Sequence, residues 1–320
     1  MKPSYNYVKG HKDNVNCILN HPMGLFSGSE DRTVRQWDIR QQRSIKCLKG
    51  DIYDEVSCLS AYPDDDYLLC VGCDTAVLLY DIRNTEVILN EAKTSITMNM
   101  DCVNRIQPVK AKDSKYLAIC DDKGDILLWN LDHSDESITF EEMHSNICTD
   151  LLVYYEDTNP IFYSVGCDYH AIQFDLKGDI LKEWSINPLS TNIASVNPPF
   201  IFSVTRSERD GAVYCGCGDG TIRLLEATGD RCIANPHSYS ISQIESVWRD
   251  STHLLLSTGS DNLFALSYED KKLNRFRTQL QLSLQWKPNA FAVVGDMVVL
   301  GGVSNNLLFA DNLLSFCFVC

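Results

Sequence analysis

Basic charge is short in this sequence relative to acid. Twenty-eight lysines and arginines face 43 aspartates and glutamates, a formal net charge of −15. Nucleic-acid binders and proteins that lie on anionic lipid need the opposite balance, so neither partner is expected. Long apolar runs are missing too, and none approaches the roughly 20 residues of a membrane-spanning helix. The opening Met1-Lys2-Pro3-Ser4-Tyr5-Asn6-Tyr7 lacks the apolar core of a secretory signal. The 14 cysteines are therefore expected as thiols in a reducing compartment, cytoplasmic or nuclear. What is present, 44% apolar and 22% charged residues, is ordinary for a chain that buries a full core.

One pattern recurs along the chain: a short apolar strand, a Gly/Ser/Asp turn, then a second apolar strand. Its clearest copy runs from Leu25 through Ser27-Gly28-Ser29-Glu30-Asp31 to Trp37-Asp38. With Asp31 as anchor, equivalents fall at Asp74, Lys123 (with Asp122 beside it), Asp168, Asp219, Asp261 and, weakly, Ser304, about 45 residues apart. Three residues past each anchor stands an apolar or small residue, from Val34 to Leu307. Six past stand Trp37, Tyr80, Trp129, Phe174, Leu225, Ser267 and Ala310, decaying toward the C-terminus. Strand–turn–strand units at this period are propeller blades. Seven of them consume residues 1–320, so the expectation is an all-β, seven-bladed propeller of four-stranded antiparallel sheets in a single domain. The segment near Tyr5–Val8 should pair with the last blade and close the ring, because blade one's own first strand starts only at Val15.

Three stretches read as surface loops: the acidic Asp132–Glu142, the proline-containing run from Asn187 to Asp210, and the basic Lys271–Arg277. The apolar tail Leu313–Cys320 should pack on the last blade, since eight such residues left in water would form a sticky patch.

Gly10-His11 followed by Trp37-Asp38 resembles the WD-repeat family, and the resemblance covers essentially the whole chain. It implies a rigid, non-catalytic scaffold that binds other proteins. It also bears on the three Ser–His–Asp sets, His11/Ser27/Asp31, His144/Ser164/Asp168 and His237/Ser257/Asp261. Such a trio has the residue types of a nucleophile, base and orienting acid, but one active site does not need three copies. In the family these groups form a structural network: turn Asp to His, His to strand Ser, Ser to the Trp37 indole.

The cysteines Cys70-x-x-Cys73 and Cys317-x-x-Cys320 have zinc-like spacing at opposite ends of the chain. Cys17, Cys58, Cys102 and Cys148 instead repeat at the blade period, as small buried apolar residues would. No metal is expected. Gly216-Cys217-Gly218-Asp219-Gly220 resembles a phosphate cradle, but a strand follows where a helix is required. No cofactor is expected.

Two arginines remain. Blade one ends Trp37-Asp38-Ile39-Arg40 and blade two ends Tyr80-Asp81-Ile82-Arg83. These two stretches resemble the box of WD-repeat proteins that dock on the damaged-DNA-binding adaptor of cullin-4 ubiquitin ligases. Gln36 departs from that box in the first, and Tyr80 replaces Trp in the second. The resemblance implies an adaptor interface of Trp37, Asp38, Arg40, Tyr80, Asp81 and Arg83, and a role as substrate receptor. The same residues also occur as plain exposed strand ends in propellers with no link to ubiquitin. Such a propeller would serve another assembly, in RNA processing, chromatin or the cilium. Asp121-Asp122-Lys123-Gly124, His144–Cys148 and Asn197-Pro198-Pro199 resemble one WD-repeat subfamily regarded as candidate receptors of that ligase.

Overall fold

The computed structural model describes residues 2–62, 67–97, 101–111, 114–186, 197–249 and 251–316. Alternating side chains and Gly/Asp turns give short strands throughout. After β1 (Ser4–Lys9), blade one is β2 (Val15–His21), β3 (Gly24–Ser29), β4 (Val34–Asp38) and β5 (Arg43–Leu48). Blade two is β6 (Val56–Ala61), β7 (Leu68–Cys73), β8 (Ala76–Asp81) and, after the two-residue β9 (Ile88–Leu89), β10 (Thr94–Thr97). Blade three is β11 (Val103–Ala111), β12 (Ser114–Asp121), β13 (Ile126–Asn130) and β14 (Ile138–Phe140). Blade four is β15 (Cys148–Glu156), β16 (Asn159–Gly166), β17 (His170–Asp175) and β18 (Ile180–Ser185). Blade five is β19 (Ile201–Arg206), β20 (Val213–Cys217), β21 (Ile222–Glu226) and β22 (Gly229–Ala234). Blade six is β23 (Ile241–Arg249), β24 (Thr252–Gly259), β25 (Leu263–Asp270) and β26 (Arg275–Ser283). Blade seven takes β27 (Pro288–Val294), β28 (Met297–Gly302) and β29 (Asn306–Asp311), with β1 as its fourth strand. The fold is a seven-bladed β-propeller.

β1 lies antiparallel to β29 from Ser4 opposite Asp311 to Lys9 opposite Asn306. The N-terminus therefore completes the blade that the C-terminal strands begin. Blade one differs from the expected four strands. Its sheet carries a fifth, because β9 adds parallel to β5 with Cys47 opposite Ile88 and Leu48 opposite Leu89. The chain leaving blade two thus covers the outer edge of blade one before returning as β10.

The chain forms two compact units, Met1–Pro108 with Pro288–Cys320, and Val109–Lys287. In the first, Val34, Leu48, Val56, Leu69, Val71 and Tyr80 build one apolar cluster, and Val15, Leu25, Trp37, Leu307 and Phe309 another. In the second, Phe162 and Phe174 stack at 4.9 Å beside Cys120 and Cys148. Separate clusters there centre on Tyr163, Trp184 and Cys215, and on Ile222, Ile241 and Leu255. All lie between neighbouring sheets, where alternate residues of each strand meet.

The loop expectations need correction. Asp132–Glu142 contains a 3-10 turn at Ser134–Glu136 and β14, the outer strand of blade three. The acidic residues lie on either side of β14, which is itself Ile138-Thr139-Phe140. β19 lies within the proline-containing run, of which residues 187–196 fall outside the described residues. Within Lys271–Arg277 only 271–274 turn, and β26 begins at Arg275. Cys102 is exposed and precedes β11, so it is not a core cysteine like Cys17, Cys58 and Cys148. The tail begins as α1 (Leu313–Phe316), whose Leu313 and Leu314 are fully buried; the Leu314 N–H donates to Asp296 O at the β27–β28 turn. Cys317 and Cys320 lie outside the described residues.

Candidate functional site

The turn Asp of blade one organises everything around it. Asp31 carboxylate oxygens accept from the backbone N–H of Lys12 at 2.8 Å and of Thr33 at 3.1 Å, and from the Thr33 hydroxyl at 2.6 Å. They also meet His11 Nδ1 at 3.0 Å. A carboxylate only accepts, so the His11 proton sits on Nδ1 and Nε2 becomes an acceptor. Ser27 then donates to Nε2 at 2.7 Å, and the Trp37 indole N–H donates to Ser27 Oγ at 2.8 Å. Burial alone would raise the Asp31 carboxyl, but the bonds from His11 and Thr33 outweigh it and hold it below the usual range. Gly10 is required because a Cβ would lie 2.1 Å from the Trp37 ring.

Blades four and six repeat the first part of this chain. His144 Nδ1 lies 3.0 Å from Asp168 and its Nε2 2.9 Å from Ser164 Oγ. His237 stands 2.9 Å from both Asp261 and Ser257 Oγ. Both stop there, since Phe174 and Ser267 occupy the Trp37 position and offer no indole. Ser27, Ser164 and Ser257 are all 0% exposed. A hydroxyl with no path to solvent meets no substrate, so none of the three sets works as a catalytic triad.

Blade two lacks the network. Gly28 opposes Val34 and Gly72 opposes Val77, which makes its turn one residue shorter and puts Asp74 in the left-handed region at φ 51°. Asp51 stands where His11 does and Val71 where Ser27 does. Tyr80 Oη consequently has no hydrogen-bond partner among the described residues.

Sequence reasoning missed two substitutes. In blade three the turn is capped by Asp121, two residues before the Lys123 anchor. Its carboxylate accepts from the N–H of Lys123 at 3.1 Å and of Asp125 at 2.9 Å. In blade five Arg223, 2% exposed, bridges Asp219 at 3.2 Å and Asp230 at 2.8 Å. An arginine four residues past the anchor, on a strand this apolar, is the signal that points to it.

The two arginine boxes close in the same way. Asp38 Oδ1 accepts from Arg40 N at 2.9 Å, and Asp81 Oδ1 from Arg83 N at 3.1 Å. Arg40 is exposed, and its guanidinium has no hydrogen bond among the described residues. Arg83 doubles back on Asp81 through Nε at 2.9 Å and through Nη2, and lies 4.7 Å over the Tyr67 ring. The Arg83 hydrogen bonds hold the Asp81 carboxyl down at about 2. Trp37 and Tyr80 are fully buried, which corrects their inclusion in an interface: they shape the turn from inside and present no surface. Gln36 is buried because its amide donates to Met23 O at 2.7 Å. The turn itself is general, since Asn130 accepts from Asp132 N at 2.9 Å and Asp175 from Lys177 N at 2.8 Å. An arginine two residues past an aspartate distinguishes blades one and two from these.

Among the described residues, no three His, Cys, Asp or Glu side chains gather to hold a metal.

Sheets of this number, with a turn Asp tied to a preceding His and a strand Ser, define a class: propellers of repeated hairpin blades. The WD domain, G-beta repeat model matches residues 2–38 and 42–81. WD40 repeats are thus matched in residues 2–81, and the chain folds as a seven-bladed β-propeller. It is similar to the WD repeat-containing protein 53 homolog of Dictyostelium discoideum, 29% identical over 82% of this chain and 75% of that protein. It is also similar to the WD repeat-containing protein GTS1 of Arabidopsis thaliana, 34% identical over 39% of this chain and 32% of that longer protein. In fold it matches the solved structure of U3-55K, with a TM-score of 0.75 at 13% identity, covering 96% of this chain and 98% of that one.

Proposed function

We propose that this propeller is a protein-binding scaffold that docks on the damaged-DNA-binding adaptor of a cullin-4 ubiquitin ligase, in the cytoplasm or nucleus, and presents a substrate. The observation behind this reading is the pair of exposed arginines, Arg40 and Arg83, each held by the same capped turn at the end of the third strand of successive blades. Arginine is planar and permanently charged, and suits an anchor that grips carboxylates or carbonyls.

The test is the Arg40→Ala/Arg83→Ala double variant in affinity purification with mass spectrometry. Exposed arginines cost the fold little, within about 0.5 kcal/mol. Interface anchors cost about 2 kcal/mol or more of binding, roughly 30-fold. Loss of the adaptor from a variant with unchanged melting supports docking. Normal adaptor recovery, or no adaptor with the native chain beside a stable set of other subunits, replaces the ligase role with membership of another assembly.

A further inference from the structure

The repeat provides its own reference for an uncompensated charge. Arg35 in β4 and Arg223 in β21 occupy the same place, four residues past the turn Asp and opposite a cysteine of the fourth strand, Cys47 or Cys232. In blade five that arginine is neutralised by Asp219 and by Asp230, two residues before Cys232. In blade one Asp31 is engaged by His11, and the residue opposite Trp37, where Asp230 opposes Leu225, is Ser44, with Ile45 bulged beside it; neither is an acid. Arg35 has no ion pair or hydrogen bond among the described residues, and its Nε is shut off from solvent without an acceptor.

Arg35 faces a groove of about 410 Å³. Three further cations line it, Lys12, Lys46 and Lys49, against one carboxylate, Asp31, which is 4% exposed and already saturated. Lys46 is anchored to Ile82 O at 3.0 Å, while Lys12 and Lys49 are exposed and unpaired among the described residues. Beside Thr33, Ser44 and Cys47 the lining carries three exposed aliphatic side chains: Ile45 is 40% exposed, Val87 66% and Ile88 44%. β9 supplies Ile88 and Val87 immediately precedes it, so the segment that adds the fifth strand also builds the groove.

We infer that this groove binds an extended acidic segment of a partner protein, with carboxylates on Arg35, Lys12 and Lys49 and aliphatic side chains on Ile45, Val87 and Ile88. A chain of net charge −15 concentrates cations here and leaves them without acids of its own. Alternate residues of an extended peptide point to opposite sides, so one set can meet the cations and the other the aliphatic side chains. No aromatic ring lines the groove, so bases have nothing to stack on and nucleic acid is disfavoured. The aliphatic side chains are wasted on a small inorganic anion. Neither Arg40 nor Arg83 lines the groove, and the inference stands or falls apart from adaptor docking.

The test is fluorescence anisotropy of the full chain with a labelled octapeptide alternating Glu and Val. Lys12→Glu/Lys49→Glu should weaken binding about tenfold or more, with affinity falling as salt rises. Lys271→Glu/Lys272→Glu, on a turn of blade six, should not change it. Ile45→Asp is the decisive variant. It places an acid in the groove beside Arg35, at the bulge next to Ser44, the register equivalent of Asp230, so it should abolish binding while the melting temperature holds or rises. Polyglutamate and inorganic phosphate should compete weakly. Absent binding, equal loss in the blade-six control, an unaffected Ile45→Asp variant, or phosphate competing as well as the peptide each overturns the inference.

Discussion

Ser27 is the residue on which two buried groups of blade one depend. Ser27→Ala removes a donor to His11 Nε2 and an acceptor from the Trp37 indole, at sites 1% and 0% exposed. Neither stranded group can turn to water. Leaving one buried polar group unpaired costs about 1–3 kcal/mol, so two should cost about 2–6. The native chain already contains the control. Ser164→Ala and Ser257→Ala each strand only a histidine, His144 or His237, because no indole reaches either serine. Each should cost about 1–3 kcal/mol.

The measurement is urea unfolding followed by both tryptophan fluorescence and far-ultraviolet dichroism, compared at a common denaturant slope. Trp37→Phe in the Ser27→Ala background removes the second stranded group, so the double variant should cost less than the sum of the singles. Phe174 of blade four is the natural precedent for that ring. Equal losses for Ser27→Ala and Ser164→Ala, or strict additivity with Trp37→Phe, would show that the indole bond contributes nothing and refute the reasoning.

Three further outcomes are expected. The carboxyls of Asp31 and Asp168 sit below the ordinary 3.8: burial raises both, and the histidine bonds more than offset it. Burial pushes His237 below 6.5, against Asp261. All three groups bind protons more readily unfolded, so their stabilisation is full at neutral pH and is lost as pH falls through the folded values; the deficit of Asp31→Asn should therefore narrow below pH 3.8 in thermal melts, and a constant deficit contradicts it. Arg223→Met leaves Asp219 and Asp230 facing each other without a cation and should cost about 3–5 kcal/mol by urea unfolding, whereas Arg35→Met should be nearly neutral. Gly28→Ala places a Cβ 2.4 Å from Val56 and 2.6 Å from Cys17, and should cost about 1–3 kcal/mol, visible as a lower melting temperature.

The blades were legible because their determinants recur. A turn aspartate, an apolar residue three later and an aromatic six later are copied often enough that even Ser304 could be placed. Its hydroxyl does accept from the N–H of Asn306 at 3.1 Å, as the carboxylates of Asp31 and Asp219 do from the residue two beyond. Elements without a recurring pattern were not legible. β9 is two residues long, too short to show alternation, and it pairs in parallel with a strand about 40 residues earlier. β14 is three residues, Ile138-Thr139-Phe140, too short between its acidic flanks to show alternation. Spacing puts the blade-three anchor at Lys123 with Asp122 beside it, and only the backbone path shows that Asp121 is the acceptor.

Function is harder to read for the opposite reason. Burial demands the same answer in every blade, whereas a binding surface is made by a blade that departs from the others. Asp38-Ile39-Arg40 and Asp81-Ile82-Arg83 are visible in the sequence because the departure lies within one turn. The Arg35 groove is not, because its meaning lies in what is missing: an acid at Ser44 or the bulged Ile45 beside it, with Asp31 already committed to His11. Comparing blade with blade in register exposes that gap. The same comparison explains why Arg223, more deeply buried than Arg35, is the less available of the two. Its charge is satisfied on both sides, so it holds a turn together, while Arg35 retains an unmet demand for a carboxylate that a partner can fill.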